Sequence, residues 1–423
     1  KYTDRCRFTA VCDLDAKRRA YGAKFITDWY AEHGEKAAVR EYADYHELFA
    51  DPSIDAVMLC VPDHWHAILA SAALIAGKHI WLQKPFTQTI EEGRLVANLA
   101  KKFHRVVQVG SWQRSVTQFA RVCELVRNGR IGAVKEVEIG IGLDKEGGSS
   151  ARQTVPANLD YDTWLGPTDP TAPYNETRVH TQNLANIDWR PGWIQLAPYG
   201  WGMITNWGAH HLDIARWGLG VVGVDGVEGT CGWMSTAGGK LWNVHTSYDL
   251  HFKANGGKTD IHVCDKYQNG VKFVGENGDW LFCTRGAVKV TPSDPEPVVR
   301  PGDLGPMAAS KPLILPQLEK MSGSALQAHV DNWLEAVLAN DPLMTVTNAE
   351  DGHRSTSMCS LGQMCMELGR GRKDGFSLNW DAKRESTGNA AADALMKPFA
   401  NGKFDLNVNL VDFNLKFEDV MKG

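Results

Sequence analysis

From residue 7 to about residue 110 short apolar runs alternate with stretches of helical periodicity. A doubly wound parallel sheet imposes that rhythm, because each buried strand must be followed by a helix that crosses back over the sheet. The runs predict strands at Phe8–Cys12, Ala56–Val61, His79–Leu82 and Val106–Gly110, with helices near Ala16–His33, Tyr45–Ala50, His66–Ala76 and Ile90–Phe103. Thr89 with Glu92 reads as a capping box for the last helix, and Gly77 ends the third. Sheets of this kind bind ligands at the carboxyl ends of their strands.

After Gly110 the pattern lengthens. Val134–Ile141 and Trp242–Phe252 alternate as an antiparallel sheet with one covered face does. Residues 142–199, with six prolines from Pro156 to Pro198, are too long for a simple connection and read as a substrate-side lid or rim. Ser293–Pro316 reads as a further loop, and Ala325–Ala339 and Thr347–Leu368 as helices. The expected division is therefore a parallel-sheet domain over 1–112 and a second α/β domain over 113–423, with a large open, mainly antiparallel sheet.

Composition excludes some partners. The 43% hydrophobic and 22% charged residues are those of an ordinary globular protein, and a net charge of -5 offers no basic field to nucleic acid. No stretch approaches the roughly 18 apolar residues of a membrane span. Nine scattered cysteines, none in a Cys-x-x-Cys pair, read as reduced core residues, so neither disulfides nor a metal site is expected. Trp189, Trp193, Trp201, Trp207 and Trp217 crowd one region, and indole faces suit sugar rings as well as packing. The compartment, cytoplasmic or periplasmic, is left open.

Three clusters carry the chemistry. Asp13 ends the first visible strand, where a dinucleotide-binding fold places an acid that accepts hydrogen bonds from the adenosine ribose; such an acid favours NAD over NADP. The glycine-rich turn that comes about 20 residues before this acid has no room in the twelve residues ahead of Asp13. The expectation is that the intact protein holds roughly 25–35 further residues with a central strand and that turn. Pro62, Asp63, His64 and His66 follow the next strand, with Asp63 placed to cap the following helix. Ile80–Leu82 then delivers Gln83, Lys84 and Pro85 to a strand end, with the proline biasing Lys84 toward an extended backbone. In the third cluster Asn206, His210 and Asp213 stand at helical spacing and can share one face. A histidine held by an amide or carboxylate there has the pKa and tautomer for proton transfer, although His210 and His211 also read as a packed core pair.

In this order the clusters resemble the Gfo/Idh/MocA family of NAD(P)-dependent oxidoreductases, nearly end to end. The resemblance is strongest at Val61–His66, at Gln83-Lys84-Pro85 where the family usually has Glu-Lys-Pro, and at Thr205–Asp213. Tyr161–Pro167 and Gly352–Thr356 look like a sugar-acting bacterial subgroup. It implies a Rossmann domain followed by an α/β domain, Lys84 as the catalytic lysine and His210 as acid/base. Asn206 would orient the histidine in place of the aspartate of many members. Asp13, Pro62, Asp63, His66, Gln83, Lys84, Pro85 and Gln113 would contact the cofactor. Trp207, His211, Arg178 and His180 are the expected substrate contacts. The expected partner is a small sugar or glycoside, within a homo-oligomer, dimer or tetramer.

The reading is an NAD-dependent oxidoreductase acting on a sugar or cyclic polyol. Two rivals stand beside it: a glycosidase that recycles a tightly held NAD, suited by the insertion and the tryptophans, and a non-catalytic sugar or nucleotide sensor, suggested by Gln83 and Asn206.

Overall fold

The computed structural model describes residues 4–287, 290–293, 324–400, 404, 406, 410 and 415–422. The expected loop Ser293–Pro316 lies, apart from Ser293, outside the described residues.

The first domain is parallel, in two pieces. Strands β1 (Ala10–Cys12) and β2 (Arg40–Tyr42) pair with each other, and β3 (Ala56–Leu59), β4 (His79–Leu82) and β5 (Val107–Val109) form a second set. Helices α1 (Ala16–Glu32), α2 (Tyr45–Ala50), α3 (His66–Ile75) and α4 (Ile90–Lys102) alternate with them. All four residues of β4 are buried, which is why it reads as one apolar run; central parallel strands are covered on both faces. At the start of α4 the Thr89 side chain accepts from the Glu92 N–H while the Glu92 carboxylate accepts from the Thr89 N–H, the expected capping box. Among the described residues no strand pairs with the outer edges of β1 and β3. Both edges line a cavity of about 1620 Å³, closed on another side by the helix Ala325–Ala339.

The second domain is built on an eight-stranded sheet. Its strands are β6 (Val134–Gly140), β7 (Gly226–Trp233), β8 (His245–Ala254), β9 (Thr259–Cys264), β10 (Gly270–Gly275), β11 (Trp280–Cys283), β12 (Thr291–Pro292) and β13 (Phe376–Asn379). They lie in the order β12-β11-β10-β6-β9-β8-β7-β13, antiparallel except for β6 against β9. Alternation sets the faces: Tyr248, Leu250 and Phe252 of β8 enter the core, while Asp249, His251 and Lys253 point outward. Helices α5 (Thr117–Arg127) and one over Ala349–Leu368 cover the inner face. The latter helix also fastens the two domains, because Gly352 passes so close to β5 that an added Cβ would stand 2.6 Å from Val109 and 3.0 Å from Phe86.

Residues 142–199 have a core of their own, made by Leu159, Tyr161, Trp164, Leu165, Tyr174, Val179, Leu196 and Tyr199. This segment docks on the first domain. The Trp164 carbonyl accepts from His64 Nε2 (2.9 Å) and Trp65 Nε1 (3.0 Å), and the Asn158 carbonyl accepts from the Ala16 N–H. Thr163, Trp164, His180, Trp189, Pro191 and Trp193 thereby form one wall of the large cavity.

Candidate active site

Lys84 stands at the carboxyl end of β4, half-buried, and its Nζ donates to Asn206 Oδ1 at 2.8 Å. Burial lowers its pKa below the ordinary 10.5, and the charges of Arg285 and Arg190 lower it further, against an opposing pull from Asp63. Asp63 is itself buried, and the loss of solvent raises its carboxyl well above the usual range, with Lys84 opposing. The two groups are therefore near enough to share one electrostatic environment. Gln83 fixes the backbone at this point, its Oε1 accepting from the Lys84 N–H at 3.0 Å.

Asn206 ends the short helix that follows the insertion, Met203–Asn206, and His210 lies in the first turn of the next, Gly208–Leu219. His210 is buried, and among the described residues its Nδ1 has no hydrogen-bond partner. Burial first, then the charges of Lys84 and Arg285, hold its pKa well below 6.5. Neutral imidazole is thus its resting form at neutral pH, ready to accept a proton. A cationic amine beside a neutral histidine can steady a developing alkoxide and take the hydroxyl proton, provided the substrate hydroxyl sits between them.

At the other end of the cavity Asp13 follows β1, with Asp15 capping α1 by accepting from the Lys17 N–H at 2.9 Å. Asp13 Oδ1 accepts from the Asp15 N–H at 2.8 Å, which presents the carboxylate on a rigid turn, while burial raises its pKa. Pro62, Asp63, Gln83, Lys84, Pro85 and Asn206 line the same cavity. Gln113 is also buried, and neither its Nε2 nor its Oε1 has a partner among the described residues. The acid after β1 and the lysine at the end of β4 thus line one cavity, and the orphaned Gln113 amide follows β5. Among the described residues no glycine-rich strand-to-helix turn contributes to it.

Several expected contacts lie elsewhere. Asn206 gives its amide oxygen to Lys84, and among the described residues His210 Nδ1 receives nothing from it. Asp213 leaves the cleft altogether: it accepts from Arg114 Nε (2.8 Å) and Nη2 (2.7 Å) and from Ser355 Oγ (2.6 Å) inside the core. His66 is sealed away from the cavity, with Nδ1 against the Pro85 carbonyl (2.7 Å) and Nε2 against that of Val61 (3.0 Å), so it braces two strand ends. Asp63 caps nothing, since the chain enters α3 through a 3₁₀ turn over Asp63–Trp65 with Pro62 ahead of it. His180 sits at the Asp13 end, its Nε2 3.0 Å from Asp15 Oδ2. Arg178 is spent on the Pro173 carbonyl and on Tyr199. His211 is fully buried with Nε2 near Asn269 Oδ1 (3.3 Å), and Trp207 packs at a tilt against it and lies within cation–π distance of Arg285. Arg285 carried no sequence signal, since it stands in a turn after β11 without a local pattern.

Known proteins share this fold. Residues 3–111 match the family described as an oxidoreductase family, NAD-binding Rossmann fold, and residues 145–225 match its C-terminal alpha/beta domain. The uncharacterized oxidoreductase YrbE of Bacillus subtilis is 28% identical over 37% of this chain and 40% of its own length. The myo-inositol 2-dehydrogenase of Thermotoga maritima is 30% identical over 32% of this chain and 37% of its own. The chain thus spans less than half the length of these curated relatives. Among solved structures, the WlbA dehydrogenase of Chromobacterium violaceum in complex with NADH and UDP-GlcNAcA has a TM-score of 0.57 at 15% identity, with 90% of each chain covered. The aldose-aldose oxidoreductase of Caulobacter crescentus has a TM-score of 0.55 at 15% identity, covering 88% of this chain and 91% of its own. These two share the fold. Residues 3–111, over the parallel sheet, and residues 145–225, over the insertion and the site helices, thus match the two domains of the Gfo/Idh/MocA oxidoreductase family.

Proposed function

We propose that the protein is an NAD-dependent oxidoreductase that acts on a carbinol of a sugar or cyclic polyol. The observation that carries this reading is Lys84, bound to Asn206 at the cavity wall, with a buried neutral His210 one helical turn beyond Asn206 and within reach of the Lys84 charge. When bound, the nicotinamide supplies the acceptor for the carbinol hydride. His210 takes the hydroxyl proton, and the Lys84 ammonium stabilises the oxygen as its charge develops. Asn206 fixes the ammonium, and Gln83 fixes the backbone that carries it. The sugar and inositol dehydrogenases among its relatives and neighbours support the substrate class.

His210→Ala should lower single-turnover NADH formation by about 10²–10⁴-fold, the range for losing a general acid/base, while circular dichroism stays unchanged. Wild-type turnover in the folded variant would show His210 to be structural.

Cofactor choice follows from Asp13. Its carboxylate would repel the extra phosphate of NADP, so NAD should bind more tightly by about 1–3 kcal/mol, the cost of an unmatched buried charged contact. Fluorescence titration of both cofactors measures this, and equal affinities would remove the role given to Asp13.

A further inference from the structure

Arg285 sits in the turn after β11 with its guanidinium between two indoles, 4.4 Å from the Trp112 ring centre and 4.2 Å from that of Trp207. Both indoles thus lie within cation–π distance of it. Its Nε and Nη2 are buried, and among the described residues neither has a hydrogen-bond acceptor. Those two nitrogens form the side-on fork that matches a carboxylate. Elsewhere in this protein Arg114 uses the same pair to grip both oxygens of Asp213 at 2.8 and 2.7 Å. Two buried, idle donors on a half-buried cation are costly unless an acceptor completes them.

The location says which anion. Trp112 packs edge-on against His210, with ring centres 6.2 Å apart, and Trp207 directly follows the Asn206 that holds Lys84. The Arg285 charge reaches Lys84, His210 and His211, lowering the pKa of each. The fork is therefore linked to the proposed proton-transfer pair through Trp112, which packs on His210, and through its charge. We propose that Arg285 is a specificity-determining residue that binds an acidic group on the sugar, so that the preferred substrate is an anionic sugar. The indoles steady the guanidinium by cation–π contact, and its two open in-plane donors favour an oxyanion over a neutral hydroxyl. This inference rests on the oxidoreductase reading for its substrate, yet the binding measurement tests it separately.

The test is titration of the full protein, with NAD present, by tryptophan fluorescence, which the Trp112–Arg285–Trp207 stack makes responsive. The probes are glucuronate and gluconate for a carboxylate, glucose 6-phosphate for a phosphate, and glucose as the neutral control. At least one acid should bind about 10- to 100-fold more tightly than glucose, the range for a hydrogen-bonded charged contact. Which acid wins separates carboxylate from phosphate. R285Q should erase the preference, and R285K, which keeps the charge but loses the fork, should weaken it. Single-turnover kinetics should show the loss mainly in KM. Equal affinity for glucose and every acid in the wild type overturns the proposal, as does an undiminished preference in folded R285Q or R285K. NADH formation without acid preference would sink this proposal alone, whereas selective acid binding without NADH from any sugar would sink the oxidoreductase reading alone.

Discussion

Lys84→Met is expected to reduce single-turnover NADH formation by at least about 10²–10³-fold, the loss that follows removal of one preorganised donor to a developing oxyanion. Methionine keeps most of the side-chain volume, so the packing beneath Pro85 should survive. The pH dependence gives a second handle. The Lys84 cation is the working form, and burial lowers its pKa, so the rate should fall as pH rises through that lowered value. His210, held well below 6.5, remains neutral at neutral pH and should contribute no limb there. Asn206→Asp places a carboxylate against the ammonium that now donates to the amide at 2.8 Å, which raises the lysine pKa. The alkaline limb of the variant should therefore lie at higher pH than that of the wild type. A limb that stays in place would show that the titrating group is not Lys84.

Asp213→Ala is expected to cost about 3–5 kcal/mol of folding stability, because it removes the closest counter-charge of the buried Arg114 guanidinium. The side chains of Arg114 and Asp213 are 3% and 1% exposed, and the pair is locked by two direct hydrogen bonds and by Ser355. What remains for Arg114 is the Val346 carbonyl and a longer contact to Asp351 at 3.2 Å. Urea unfolding should show the loss as a lower midpoint. Replacing both partners, Arg114→Met with Asp213→Leu, should recover much of it, since the main penalty is a buried charge left with only the longer pairing to Asp351. A single substitution that costs less than about 1 kcal/mol would place Asp213 outside any such pair.

Elements whose burial produces a distinctive local pattern were legible. The fully buried β4 and the capping box of α4 reappear as expected, and Lys84 and Asp13 line one cavity as their strand-end positions require. Strand β2 escaped because Arg40-Glu41-Tyr42 is short and largely exposed, with no apolar run to mark it. Helical spacing placed Asn206, His210 and Asp213 on one face, but spacing cannot say which partner each polar group meets. Lys84 arrives from 122 residues away to claim Asn206, and Arg114 from 99 residues away to claim Asp213. His66 was expected at the cofactor for the same reason; only the fold brings the Val61 and Pro85 carbonyls to its two nitrogens. Arg285 is the clearest case, since its environment is assembled entirely from distant tryptophans.

The central claim is that this site moves a hydride from a carbinol carbon while Lys84 and His210 manage the oxygen and its proton. It is tested most directly by mixing the protein and NAD with perdeuterated glucose, glucuronate and inositol, and analysing the recovered cofactor by mass spectrometry. Deuterium in the recovered nicotinamide with at least one of these, strongly diminished in Lys84→Met and His210→Ala, is the expected result. Unlabelled cofactor with every substrate, in a folded protein that binds NAD, would contradict it.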